Sequence, residues 1–381
     1  MMRIRIDKNN EIIKKITAIL LLALPFVELI ALIGQGIKFI DVDVLMLLFT
    51  FAITSILFVL SFDKFNKKML IVLALNAASV VVTGIFYSSW GSIVQFLNLL
   101  LMMFIFNNIS VTQKIYRILH VTVTVTLSLY LFTMKVVNHN LSMIFDLFGN
   151  NINSNTVSFL YLAAAFHLVC FIETLNVSER VNIIFKVLCL AIYGYKIYEF
   201  ASRSALISLV LFIALIFIFK KPFSYKVLRR IVIAALVFSL LFAVVYVGLY
   251  SVLGNFKILG KSLFSGRQII WSSAFYLIMA YPIFGCGNSI LFQTIESRFT
   301  SSSHHMLIGV WKILGIIPML TTILCFINKF KDDIEGRELT APQMAFISVL
   351  PICFFESFYT DSYLYIYFIL FLLRYVKKEE K

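Results

Sequence analysis

Apolar runs of about 20 residues, one after another from near residue 16 to residue 375, constrain this chain more than anything else in it. A helix of that length crosses the hydrocarbon of a bilayer, because lipid offers no partner to an unpaired backbone N–H or C=O and the helix satisfies its own. The runs lie at about 16–36, 42–62, 68–88, 91–109, 115–135, 155–174, 181–200, 203–219, 231–253, 304–327, 343–358 and 361–375. The last two are short and closely joined, so a re-entrant pair is an alternative there. The expected fold is all-α: an integral membrane bundle of about twelve transmembrane helices forming a single polytopic domain over 1–381. The apolar share of 61% and the mean hydropathy of +0.96 agree, since a soluble domain is only about half apolar. No small-residue cleavage site follows the first run, which leads at once into the next, so it reads as a retained helix and not a signal peptide.

A formal charge of +14 would suggest a nucleic-acid partner in a soluble protein, but here the placement of the charge decides its meaning. Lys and Arg gather at 3–15, 64–68, 114–117, 180–186, 220–230, 329–337 and 374–381, segments that share one side of the membrane. The positive-inside bias puts that side, and both termini, in the cytoplasm. The segment 136–154, the link from Glu199 to Ser204 and the long loop 254–303 then face out, away from the cytoplasm. Five scattered cysteines without CxxC spacing support neither a disulfide framework nor a zinc site. The loop 254–303 has no counterpart in the first half of the chain, which weighs against an inverted-repeat transporter.

The unusual polar chemistry collects on the outer side, chiefly between Ser262 and Pro318. Within it, Gly266 to Tyr281 is too short to span, yet its apolar residues follow helical spacing. It is expected to lie in the interface plane, with Trp271 and Tyr281 at headgroup depth. Pro282 ends this helix, Gly285 and Gly287 allow a tight turn, and Ser289 caps a second short helix reaching Arg298. Arg267 opens the first helix, where a guanidinium and a helix N-terminus together suit a phosphate; anchoring to lipid headgroups is the other reading. Arg203, among small residues at the start of the eighth run, either binds a ligand or pairs with Glu199 one turn back. His304, at the mouth of the tenth run, is a candidate general base or simply a polar helix end. Neighbouring side chains on a helix point about 100° apart, so His304 and His305 do not make a two-ligand metal site.

Weaker candidates complete the set. Glu28 and Glu356 fall in the outer half and are candidates to face a substrate cavity, whereas His120, His167, Glu173 and Lys196 read as structural. The Asn-rich entry to the sixth run, Gly149 to Asn155, offers helix caps and partners for sugar hydroxyls. Tyr359, Tyr363 and Tyr365, near Asp361, are candidates to line a sugar path.

Four pieces in order give the chain its resemblance. Asn153 and Asn155 match an N-x-N pattern, and Ser202-Arg203-Ser204-Ala205 a Ser-Arg helix start. Gly266-Arg267-Gln268-Ile269-Ile270-Trp271 followed by Pro282-Ile283-Phe284-Gly285-Cys286-Gly287 matches R-x-x-x-W then P-x-x-G-x-G. Ser303-His304-His305 with Gly315 matches a His-Asn followed by a glycine at the same offset, with His305 where Asn is usual. On these, the chain resembles the O-antigen ligase and O-antigen (capsular, exopolysaccharide) polymerase superfamily, the Wzy-like membrane enzymes. The resemblance implies a GT-C-like helical bundle acting on sugars carried by polyprenyl (undecaprenyl) diphosphate. In that scheme Arg203 and Arg267 hold the diphosphate, and His304, or else His305, takes the acceptor proton; the order of the motif favours His304. Asn153, Asn155, Arg298, His305 and Glu356 are the further candidates for substrate contact.

The resemblance implies a metal-independent glycosyltransferase with no cofactor, and a chain-length regulator protein is an expected partner. The first reading is a repeat-unit polymerase. A ligase moving finished glycan to a terminal acceptor shares its donor chemistry, and a flippase or transporter of lipid-linked oligosaccharide is the reading from another class.

Overall fold

A computed structural model describes residues 11–34, 42–62, 65–87, 90–138, 143–145, 151–218, 225–249, 257–258, 261–262, 267–288, 292–293, 299–300, 303–328, 339–356 and 365–376. Helices dominate. The first nine runs form α1 (Glu11–Gly34), α2 (Val42–Leu60), α3 (Lys67–Tyr87), α4 (Trp90–Asn108), α5 (Gln113–Phe132), α6 (Ser154–Ile172), α7 (Glu179–Glu199), α8 (Arg203–Phe217) and α9 (Tyr225–Gly248). Among the described residues, α3, α5, α6, α7 and Arg229–Gly248 of α9 are long and apolar enough to cross a membrane, and five shorter apolar helices accompany them. Large apolar side chains stand outward, Phe132 91% exposed and Phe86 74%, where only lipid is a favourable solvent. This is an all-α membrane protein.

Three expectations need correction. The tenth run is two helices, α11 (Met306–Leu314) and α12 (Ile316–Asn328), broken at Gly315. Gly315 has φ +94°, and a Cβ there would stand 1.8 Å from the Ile283 carbonyl oxygen, so no other residue fits without moving backbone. The carbonyls of Lys312 and Ile313, released by the break, accept instead from Cys286 N–H (2.8 Å) and Gly287 N–H (3.0 Å). The Ile316 N–H reaches the Pro282 and Ile283 carbonyls at 3.2 Å. The glycines of the P-x-x-G-x-G turn thus let one backbone dock directly on another and share its unpaired groups.

The twelfth run is no spanning helix among the described residues. It holds α14 (Tyr365–Ile369), a 3₁₀ turn at Leu370–Leu372 and the strand Arg374–Val376, which pairs in parallel with Ser110–Thr112. In the loop 254–303, α10 (Arg267–Ala280) forms as expected. Of the expected second short helix only Phe292–Gln293 lies among the described residues, and it is a strand paired antiparallel with Phe299–Thr300. Arg298, the Glu28 side chain, Tyr359, Asp361 and Tyr363 lie outside the described residues.

The chain divides into two compact units, one of residues 1–66, 98–202 and 363–381, the other of 67–97 and 203–362. In the first, α6 is the most enclosed of the helices long enough to span and packs on α5 and α7, while α1 packs on α2 and α5. Buried hydrogen bonds tie it: Thr54 to Asn98 at 2.7 Å, Asn98 to Tyr365 at 3.3 Å, and the His120–His167 pair. In the second unit, α8 runs along α13 (Ala341–Phe355), and α10 and α11 pack together beside α9. Their common core is Ala243, Tyr246, Ile270, Trp271, Ala274, Ile278 and Ile308.

Candidate active site

The second unit gathers three of the residues singled out above around one carboxylate. Helix α10 buries Ile270, Trp271, Ala274 and Ile278, a stripe about two turns long that fixes its roll against α9 and α11. Arg267, one turn before Trp271, is thereby held at the helix start. Trp271 is 1% exposed, so it does not sit at headgroup depth; its indole N–H donates to the Ser303 carbonyl at 2.9 Å. Its ring stands edge-on to Tyr246 (5.9 Å) and His305 (6.0 Å). A ring this large is worth more as core than at an interface when its one donor finds a partner. The R-x-x-x-W spacing therefore links Arg267 to the segment entering α11 at Ser303.

The two histidines divide sharply. His305 caps α11, its Nδ1 accepting from the Ile308 N–H at 3.4 Å, while Nε2 lies 3.4 Å from the Ser239 carbonyl oxygen. A carbonyl only accepts, so Nε2 carries the proton and both ring nitrogens are occupied. At 1% exposure, with both ring nitrogens engaged, His305 caps the helix. Capping is also something an Asn does well, so His305 replaces the usual Asn with its local role kept.

His304 adopts φ +47°, a left-handed conformation uncommon outside glycine, and turns away from the cap geometry of its neighbour. Its Nδ1 lies 3.1 Å from Glu356 Oε2, and about a third of its side chain remains exposed. Arg267 Nη2 meets the other carboxylate oxygen, Oε1, at 2.9 Å, with both side chains 12% exposed. The Arg267 Nε is buried without a hydrogen-bond partner among the described residues. Glu356 stands just beyond α13, its N–H closing that helix on the Ile352 carbonyl at 2.8 Å. With the Arg267 guanidinium at 2.9 Å, the carboxylate is held as an anion here.

Arg203 begins α8, the helix packed along α13, and its guanidinium feels the charges of Arg267 and Glu356. Glu199, the partner considered for it, is engaged by Lys196 at 2.8 Å. Asn153 and Asn155 belong to the other unit. There Asn153 caps α6, its side chain accepting from the Asn155 N–H at 2.8 Å.

Sequence reasoning ranked Glu356 as a peripheral substrate contact and missed Ser303 and Ser239 altogether. The signal for Glu356 was present: a carboxylate at the end of an apolar run is costly unless a cation meets it, and Arg267 was a cation without an assigned counter-ion. Ser303 and Ser239 act through backbone carbonyls, which no residue identity reveals.

The chemistry available is a cationic pair suited to an anionic leaving group, next to a partly exposed imidazole whose Nδ1 meets a carboxylate. No curated protein and no solved structure matches the chain. Residues 188–323, which contain Arg203, Arg267, His304 and His305, match the O-antigen ligase family model, and the match supports the O-antigen ligase/Wzy-like superfamily that the motifs resemble.

Proposed function

We propose that the protein is a polysaccharide repeat-unit polymerase on the outer face of a bacterial cytoplasmic membrane, a polytopic enzyme of about twelve spans with both termini cytoplasmic. The family match already suggests glycan transfer of the O-antigen ligase or polymerase kind. The observation that carries the finer reading is that Arg267 and His304 meet on one carboxylate, Glu356, with Arg203 in the same electrostatic neighbourhood. A diphosphate binder and a base within one side chain's reach are what glycosyl transfer from a polyprenyl diphosphate requires.

The acceptor hydroxyl of a lipid-linked repeat gives its proton to His304 as its oxygen attacks the anomeric carbon of the growing chain. The bond from that carbon to the diphosphate oxygen breaks, and its electron pair leaves with the polyprenyl diphosphate. Arg267 and Arg203 stabilise the negative charge gathering on the leaving group. Two guanidiniums supply the charge that a divalent cation would otherwise provide, so chelators are expected to leave activity unchanged. Loss of activity restored by added divalent ion would overturn that part. Arg298, Asn153 and Asn155 remain proposed contacts for sugar or phosphate, and a chain-length regulator a proposed partner.

A second reading has one observation behind it: the matching family model is described as O-antigen ligase. Ligase and polymerase share donor and machinery and differ in acceptor. Purified protein in lipid, given a defined polyprenyl-diphosphate oligosaccharide alone, is expected to yield a product ladder on a gel that His304→Ala abolishes. Transfer only after a different terminal acceptor is supplied would establish the ligase. Translocation of the lipid-linked oligosaccharide without transfer would establish a flippase.

A further inference from the structure

His304 holds a backbone conformation that its own side chain disfavours. At φ +47° the Cβ crowds a neighbouring carbonyl oxygen, and a residue with a side chain stays there only when the structure on both sides of it fixes the chain. Three hydrogen bonds around it do so. On its N-terminal side, the Ser303 carbonyl accepts from the Trp271 indole N–H at 2.9 Å. Bridging over it, the Ser303 hydroxyl donates to the His305 carbonyl at 2.9 Å. On its C-terminal side, that same carbonyl accepts from the Gly309 N–H at 2.8 Å, which ties His305 into the first turn of α11. We infer that Trp271 and Ser303 are positioning residues for the transfer reaction: they clamp the peptide units flanking His304 in the left-handed conformation that directs its imidazole at Glu356.

The link from clamp to imidazole is geometric. An ordinary right-handed or extended φ lies about 100° or more from the present value. With Ser303 and His305 tethered, a change of that size turns the Cα–Cβ bond of His304 and carries Nδ1 off the Glu356 oxygen that it meets at 3.1 Å. Ser303 and Trp271 are each 1% exposed, so little water competes for either bond. The anchor is firm because Trp271 belongs to the core shared by α9, α10 and α11. Helix α10 therefore places both groups that reach Glu356: Arg267 directly from its first turn, and His304 through Trp271, one turn on, and Ser303. The R-x-x-x-W spacing then has a reason in the reaction as well as in packing.

The inference rests on the reading of His304 as the base in glycosyl transfer, and a double-mutant cycle separates the failure of one from the failure of the other. Steady-state transfer by full-length protein in lipid is measured for two variants. Trp271→Phe loses the indole N–H and keeps a ring beside Tyr246 and His305; Ser303→Ala loses one hydroxyl. Each is expected to lower kcat about three- to tenfold, the effect of one enclosed hydrogen bond. The donor KM should move by less than about twofold, because both arginines stay in place. On a His304→Ala background, each should change the residual rate by less than about twofold, because no imidazole remains to be directed. General damage to the fold would instead lower the rate equally in both backgrounds, and that result overturns the inference. So does an unchanged kcat, with or without a rise in KM. His304→Ala active within about tenfold of wild type would sink the reading of His304 as base, whatever the clamp does. If Trp271→Phe does not fold, Ser303→Ala completes the cycle alone, with the same outcomes deciding.

Discussion

Each unit buries a histidine cluster, and the two are built on different chemistry. In the first unit, His120 and His167 lie wholly buried on α5 and α6 with their Nδ1 atoms 2.6 Å apart. His167 Nε2 is 2.8 Å from the Tyr367 carbonyl oxygen, and its ring stacks on Phe371 at 4.3 Å. The carbonyl requires the proton on His167 Nε2, which makes His167 Nδ1 the acceptor and His120 Nδ1 the donor. The two rings are locked to each other and, through His167, to the backbone, while His120 Nε2 is buried without a hydrogen-bond partner among the described residues. In the second unit, His304 is about a third exposed, pairs with an anion and stands next to two arginines. The contrast teaches what separates a structural histidine from a candidate base: enclosed rings hydrogen-bonded to each other tie helices together, whereas a partly accessible ring beside an anion is placed to exchange a proton.

The largest expected effect separates the two clusters outright. His304→Ala should cut glycan transfer by about 10²–10⁴-fold with the protein still inserted and folded, the loss typical of a removed general base. An effect below about tenfold would put His304 in the structural class with His167. Next, Arg267→Lys and Arg203→Lys should each remain at least about tenfold below wild type, since an ammonium cannot make the paired contacts of a guanidinium. Full activity in both would remove bidentate phosphate binding from the account.

The converse test is His167→Ala. It should lower unfolding stability by about 1–3 kcal/mol by stranding buried partners, and change transfer per folded molecule by less than about twofold. A selective loss of kcat at unchanged stability would erase the contrast. Smallest of all, His305→Asn should be nearly silent, because Asn also caps a helix. His305→Ala should cost about 1 kcal/mol of stability with catalysis retained. Loss of catalysis in His305→Asn would return His305 to candidacy as the base.

Much of this was legible in the chain itself. Helix ends from α1 to α9 fall within about six residues of the apolar runs, because hydropathy adds residue by residue and a helix in lipid needs no distant partner for its backbone. Arg203, Arg267 and His304 stood out for the same local reason: charge and imidazole at the outer ends of apolar segments call for compensation. Even the glycines of the 282–287 turn were visible as turn residues, although their work is to let that turn dock on the break at Gly315.

What the sequence alone determined is therefore a membrane-spanning all-α chain with its distinctive polar chemistry in one stretch. Only tertiary structure decided which polar groups meet. Glu356 reaches Arg267 across 89 positions and His304 across 52, and no local pattern encodes a partner so far away. The split at Gly315, the inward turn of Trp271 and the separate fates of His304 and His305 have the same origin. Each depends on where a second backbone lies, and pairing free energies, unlike transfer free energies, do not exist until two segments have been brought together.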